Sequence, residues 1–254
     1  MAPFIHLTDT VSLPTYLLII SLAYTIAVIW AFYRAPKLNM ERAIALDLGL
    51  MIMMGGFVGA RLFHIFYENF DYYMLFPWDV FKIWQGGFVF YGGFIGALIA
   101  CIGYVKLRKI DFWEWADFYA PILAFGYGFG RLGCFLNGCC FGAECDLPWA
   151  IEFTQAGLPT GLRHPTQLYA TVWELALTLP LLLYVFPKFK FPRTGYLFLS
   201  WLLLHATGRL IMESFREDFR GGEIAGLSVS TWISIVIILV SLGLVWRRQQ
   251  NANQ

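Results

Sequence analysis

Residues 227–248 read LSVSTWISIVIILVSLGLVWRR. Twenty residues pass without a charge, and the two that end the run are both arginines. About 20 largely apolar residues, at 1.5 Å each, cross the hydrocarbon core of a bilayer. The stretch therefore reads as a membrane helix whose basic end stops at the cytoplasmic face. Whole-chain composition agrees: of 254 residues, 59% are hydrophobic, 19% aromatic and only 14% charged, with a mean hydropathy of +0.62. A water-soluble core of this size could not hide so much apolar surface.

Working outward, six further runs of similar length appear, bounded by charge, Pro or Gly: roughly 14–33, 44–66, 85–105, 115–136, 167–186 and 195–213. Between them, Arg34, Lys37 and Arg42, then Lys106, Arg108 and Lys109, then Lys188, Lys190 and Arg193, and finally Arg247 and Arg248 all fall on one side, eleven of the 18 basic residues. That side is cytoplasmic by the positive-inside rule, which puts the amino terminus in the periplasm and the carboxyl terminus in the cytoplasm. The expected fold is an all-α integral membrane protein of seven transmembrane helices, forming a single polytopic domain over 1–254. Its segment at about 137–166 is motif-rich, faces outward, and is read as re-entrant or lying on the outer surface. The amino-terminal MAPFIHLTDTVSLPTY has no Lys or Arg ahead of its apolar run and no small-residue cleavage site, so no cleaved signal peptide is expected. A net charge of +1 argues against nucleic acid as a partner.

Three cations, Arg61, Arg131 and Arg209, fall inside expected helices, near their outward ends. Each costs roughly 2.5–3.5 kcal/mol at bilayer depth even on insertion scales, so each faces protein or a wet cavity with an anionic partner. Two readings stay open, a structural ion pair for each or one shared anion site. In GRLIMESFR, Arg209 and Glu213 are four apart and Arg216 follows three later, which gives a cation, anion, cation stripe on one helix face. A guanidinium fork suits a phosphodiester, and beside a membrane helix the abundant phosphodiester is a phospholipid head group. Asp47, Asp117 and Glu174 read as neutralisers of arginines, and His64 and His205 as partners of Arg61 and Arg209 by helical spacing.

WQGGFVFYGGFIGA, residues 84–97, places Gly92 and Gly96 in small-xxx-small spacing around Tyr91. Close helix packing is the plain reading, and access of a lipid to Tyr91 the functional one. RHPTQLYATVWE, residues 163–174, opens a helix at Pro165, with Gln167 and Tyr169 polar near its start and His164 able to act as a base near neutral pH. In GRLGCFLNGCCFGAEC, Cys134, Cys139, Cys140 and Cys145 are spaced C-x4-C-C-x4-C. No familiar zinc spacing matches and no His lies nearby, so neither a metal nor another cofactor is expected.

Together WQGGFVFYGGFIGA, GRLGCFLNGCCFG followed by DLPWAIEF, RHPTQLY and GRLIMESFRE resemble the phosphatidylglycerol–prolipoprotein diacylglyceryl transferases of bacterial inner membranes. The resemblance runs over nearly the whole chain. It implies a seven-helix multi-pass protein of the inner membrane whose partners are phosphatidylglycerol, the lipobox of a prolipoprotein signal peptide and the bilayer. The diacylglyceryl group would pass to the lipobox cysteine thiol, with release of glycerol 1-phosphate. By motif, the signature arginine is Arg131, and the later arginine and glutamate are Arg209 and Glu213. Tyr16, Asn137, Gly142 and Arg216 also fall on positions that resemble motif residues, and with Arg61, Gln167 and Tyr169 they make the expected substrate-binding set. Tyr91 stands where many members carry a histidine proposed as catalytic, which leaves Tyr91 and His164 as candidate bases; Cys134 and Cys139 stand where many have Asn and Glu. A paralogue with another substrate, or a non-enzymatic phospholipid-binding or transport protein, is the alternative.

Overall fold

The computed structural model describes residues 4–6, 12–82, 87–153, 161–189, 194–216 and 223–250, without the side chains of Phe4, His6, Ser12, Phe90, Tyr91, Glu223 and Ile224. Lys190 and Arg193 of the basic loops, and the side chain of Tyr91, lie outside the described residues. The chain is mostly helical: α1 (Thr15–Arg34), α2 (Arg42–Phe63), the short α3 (Phe70–Leu75), α4 (Phe90–Arg108), α5 (Phe112–Asn137), α6 (Thr166–Val172), α7 (Tyr196–Glu213) and α8 (Val229–Gln250). Every one of the seven apolar runs carries a helix. Among the described residues, four helical stretches, Thr15–Leu38, Arg42–Glu68, Thr166–Lys188 and Val229–Gln250, are long and apolar enough to cross a membrane. Their large apolar side chains stay exposed, Leu17, Leu22, Val236 and Leu239 among them, as lipid-facing residues do.

Three two-stranded antiparallel hairpins interrupt the all-α expectation: β1 (Phe4–His6) with β2 (Ser12–Pro14), β3 (Ile151–Glu152) with β4 (Leu162–Arg163), and β5 (Glu223–Ile224) with β6 (Leu227–Ser228). All lie outside the long helices. The pairing of β3 with β4 gives the motif-rich segment folded structure of its own, and an ion pair from Arg163 to Glu144 at 2.7 Å braces it.

Two compact units are resolved, Trp30–Phe112 and the remainder, Met1–Ile29 with Trp113–Gln254. Within the first, α2 packs along α4 with backbone against backbone. A side chain on Gly59 would stand 2.8 Å from the Gly96 Cα and overlap the Gly92 carbonyl, and one on Gly55 would stand 2.6 Å from the Gly96 carbonyl. Gly92 and Gly96 thus meet a matching Gly55/Gly59 pair, the small-residue contact that lets helices associate in lipid. Arg61, buried at 6% exposure, donates to the carbonyls of Asp79 (3.0 Å), Val80 (3.2 Å) and Gly87 (3.3 Å), and so ties the 77–89 connection to α2. His64 Nδ1 pairs with Glu68 at 2.8 Å and its Nε2 lies 3.2 Å from the Asn69 amide.

Within the second unit α5 is buried on nearly all sides from Phe118 to Ile122. Asp117 accepts the backbone N–H groups of Gly195 (2.6 Å) and Phe198 (2.8 Å), capping the start of α7, and lies within electrostatic reach of Arg248. Asp47 forms an ion pair with an arginine, Arg108 at 3.2 Å.

Candidate active site

Arg131 lies in the last two turns of α5, where Tyr127, one turn earlier, comes onto the same face. Its Nε donates to the Tyr127 hydroxyl at 2.9 Å, and its guanidinium stands 4.9 Å from the centre of that ring. Among the described residues no carboxylate pairs with it. Tyr127 also lines a small cleft with Trp173, Glu174, His205, Gly208 and Arg209. Arg209 thus lines the cleft directly, and Arg131 is joined to it through the Tyr127 hydroxyl. Gly208 keeps its wall thin: a side chain there would come within 2.5 Å of the Trp173 ring, whose indole N–H donates to the Leu204 carbonyl at 2.9 Å.

Arg209 is held from two directions. Its Nη2 donates to Ser230 Oγ at 2.5 Å and lies 3.5 Å from Glu213 Oε2. Ser228 donates to the other Glu213 oxygen at 2.6 Å. Glu213 thus joins α7 to the turn that starts α8, and both serines fix the arginine's direction. Arg216 follows, its backbone N–H donating to the Glu213 carbonyl at 3.1 Å as the helix ends. His205 pairs with the buried Glu174 at 2.6 Å rather than with Arg209, because α6 continues as a wider helix over Trp173–Thr178 that presents this carboxylate beside α7; its ring stands edge-on to Tyr127 at 4.4 Å.

The signature loop folds back on α6. Gln167, 1% exposed, donates to the Cys139 carbonyl at 2.6 Å, and Thr166 donates to that of Cys140 at 2.9 Å. Gly142 sits where three strands of chain meet. A side chain there would overlap the Phe215 carbonyl and stand 2.7 Å from Thr166 Cγ2 and 2.8 Å from His164 Cβ. His164 Nδ1 is 3.1 Å from the Tyr169 hydroxyl, which accepts the Trp149 indole N–H at 2.8 Å, and its ring packs on Phe215 at 5.2 Å. The Asn137 side chain reaches the Cys139 thiol at the end of α5. Tyr16, on α1, lies against Gly133 and within electrostatic reach of Arg131, Cys134, Cys139 and Cys140.

The structure thus sets Tyr16 near Arg131 and Glu213 beside Arg209, and gathers Asn137, Gly142, His164, Gln167 and Tyr169 where the chain after α5 folds back on the start of α6. Arg61 belongs to the other unit, where carbonyls occupy its guanidinium. Tyr127, Ser228, Ser230 and Trp149 are the partners that sequence reasoning passed over. Tyr127 had a signal, its spacing of four before Arg131; the serines had none, since their role arises where α7 meets the start of α8.

Comparison with known proteins adds a second line of support. The model of the family described as prolipoprotein diacylglyceryl transferase matches residues 3–247. The phosphatidylglycerol–prolipoprotein diacylglyceryl transferase of Cupriavidus pinatubonensis is 34% identical over 231 residues, 87% of this chain and 82% of that protein. The protein of the same name from Pasteurella multocida is 37% identical over 206 residues, 79% of this chain and 74% of that one. That from Aeromonas hydrophila is 34% identical over 214 residues, 84% and 77% respectively.

Proposed function

The chain belongs to the prolipoprotein diacylglyceryl transferase family, and we infer that its reaction is the one for which its relatives are named. It transfers the diacylglyceryl group of phosphatidylglycerol to the lipobox cysteine of a prolipoprotein. The thiol sulfur bonds to the glycerol carbon, the carbon–oxygen bond to phosphorus's oxygen breaks, and glycerol 1-phosphate leaves with the electron pair. The observation that supports this reading best is the link from Arg131 through the Tyr127 hydroxyl to the cleft that Arg209 lines. Two guanidinium groups there hold the phosphodiester and take up the charge that grows on the leaving phosphate. Glu213 orients Arg209.

Removing the thiol proton is the other task, since at a pKa near 8.5 only a few per cent of a thiol is ionised at neutral pH. His164 serves this when its Nδ1–H donates to the Tyr169 oxygen, leaving Nε2 to take the proton. Tyr91 is the second candidate. Tyr16, Asn137, Gly142, Gln167, Tyr169 and Arg216 shape the binding of lipid and peptide. The seven helical runs all cross the bacterial inner membrane, with the amino terminus periplasmic and the carboxyl terminus cytoplasmic, a placement that the charge pattern supports.

The test is to incubate the purified chain with phosphatidylglycerol and a lipobox peptide and to weigh the product. Arg131→Ala and Arg209→Ala are each expected to lose about 10²–10³ in rate. Near-parental transfer by both variants overturns the assignment. Comparing pH–rate profiles of Tyr91→Phe and His164→Ala identifies the base by which variant loses the acidic limb.

A further inference from the structure

The sulfur atoms of Cys134, Cys139 and Cys140 all lie within 4.8 Å of one another, although the spacing of these residues resembles no familiar metal motif. The reason is local. After α5 ends at Asn137, Gly138 (φ 74°) and Cys140 (φ 68°) both take the left-handed conformation and turn the chain back onto the last turn of the helix. A non-glycine residue in that region is uncommon and is retained where the surroundings enforce it. Here they do, since the buried Gln167 and Thr166 hold the carbonyls of Cys139 and Cys140.

We propose that Cys134, Cys139 and Cys140 bind a zinc ion as three thiolates and that its fourth position receives the thiol of the acceptor cysteine. Zinc–sulfur bonds of about 2.3 Å at tetrahedral angles place sulfurs about 3.8 Å apart, so the three need to close by about 1 Å at most. Three thiolates select a soft or borderline ion. Zinc(II) with three thiolates carries one net negative charge, and Arg131, within electrostatic reach of Cys134 and Cys140, supplies one positive charge; copper(I) would leave two negative charges against it. No fourth His, Cys, Asp or Glu joins the group among the described residues, and three protein ligands with an open position are the pattern of a reactive site, not a structural one.

This role rests on the transferase reading. The acceptor thiol binds the ion and loses its proton to solvent or His164. The resulting thiolate forms the carbon–sulfur bond while the carbon–oxygen bond breaks toward glycerol 1-phosphate, and the neutral thioether, a weaker ligand, departs. Lowering a thiol's pKa from near 8.5 to near 7 raises the thiolate about 15-fold at neutral pH, and the accompanying fall in nucleophilicity trims the net gain to about threefold.

The experiment uses the full chain in detergent with a thiol-free reductant. Zinc measured by mass spectrometry after exchange is expected at one per chain, and at less than a tenth of that in Cys139→Ser and Cys140→Ser variants whose thermal unfolding remains cooperative. In cobalt-loaded protein, a lipobox peptide is expected to strengthen the sulfur-to-metal charge-transfer band, and its Cys→Ser analogue not to. Chelation should slow transfer by about threefold, with recovery on adding zinc. A folded, reduced chain that takes up no zinc, a persistent disulfide among the three cysteines, or an unchanged rate after metal removal overturns the proposal. One zinc per chain together with the peptide-dependent cobalt signal, but no diacylglyceryl product, would instead refute the transferase reading and leave the metal site standing.

Discussion

Tyr127→Phe removes one oxygen and leaves the ring, so it isolates the hydrogen bond that Arg131 Nε makes at 2.9 Å from the cation–ring contact at 4.9 Å. A hydrogen bond to a charged group contributes about 1.5–3 kcal/mol, more than a neutral one, because the ion is left under-solvated without it. If Arg131 meets the leaving phosphate, that energy is expressed where charge develops, and kcat/KM should fall roughly 10- to 150-fold. The loss should stay below the 10²–10³ or so of Arg131→Ala, since the guanidinium remains present but loosely aimed. In the double variant the Tyr127 effect should vanish, because it acts only through Arg131. The assay is product mass with phosphatidylglycerol and a lipobox peptide, beside a thermal melt to exclude unfolding. The reasoning fails if Tyr127→Phe stays within about twofold of the parent while Arg131→Ala is inactive, or if the two losses multiply.

Ser228→Ala should misalign Glu213, and through it Arg209, lowering transfer by roughly tenfold as an ionic hydrogen bond is lost, with the melt little changed; an unaltered rate would show that Ser230 alone aims the arginine. Gly142→Ala must push the Phe215 carbonyl, Thr166 and His164 apart, which costs about 1–3 kcal/mol of stability, read as a lower melting temperature; an unshifted melt would contradict the crowding. Asp79, bonded to Lys82 at 2.6 Å and Tyr72 at 2.7 Å, has its carboxyl held below the usual range by Lys82 first and Tyr72 next, while Asp79 holds the Lys82 and Tyr72 values up. A lowered acid stabilises above its unfolded value, near 4, and loses that as pH falls through the folded one; raised Lys and Tyr groups stabilise below theirs, near 10, and lose it as pH rises. Melting curves of Asp79→Asn should thus lie below the parent between these limits and merge with it outside them.

Much of the helical layout was legible because a run of about 20 uncharged residues has few alternatives, and α8 begins and ends within a few residues of the run that first revealed it. The start of α4 was less so: the apolar run begins at 85, but Gly87 takes φ 78° and the helix forms only from Phe90. Hairpins of two or three residues per strand are too short to carry an alternating pattern, so nothing announced them. At the site, Arg209 and Glu213 were readable as neighbours from helical spacing, whereas the pairing of His205 with Glu174 depends on how α6 lies beside α7. The gathering of three sulfurs was hidden for a similar reason. Distance along the chain said nothing of a left-handed turn at Cys140.

Backbone contact between α2 and α4 has a bearing on how a lipid moves. Where Gly55, Gly59, Gly92 and Gly96 let two main chains touch, there are no side chains to swing aside, and the carbonyls of one helix lie on the Cα atoms of the other. A fatty tail diffusing in the plane of the bilayer therefore finds a closed wall along this pair. Any lateral portal has to open between helices that meet through bulky, rotatable groups, and the glycine seam narrows the search by one side.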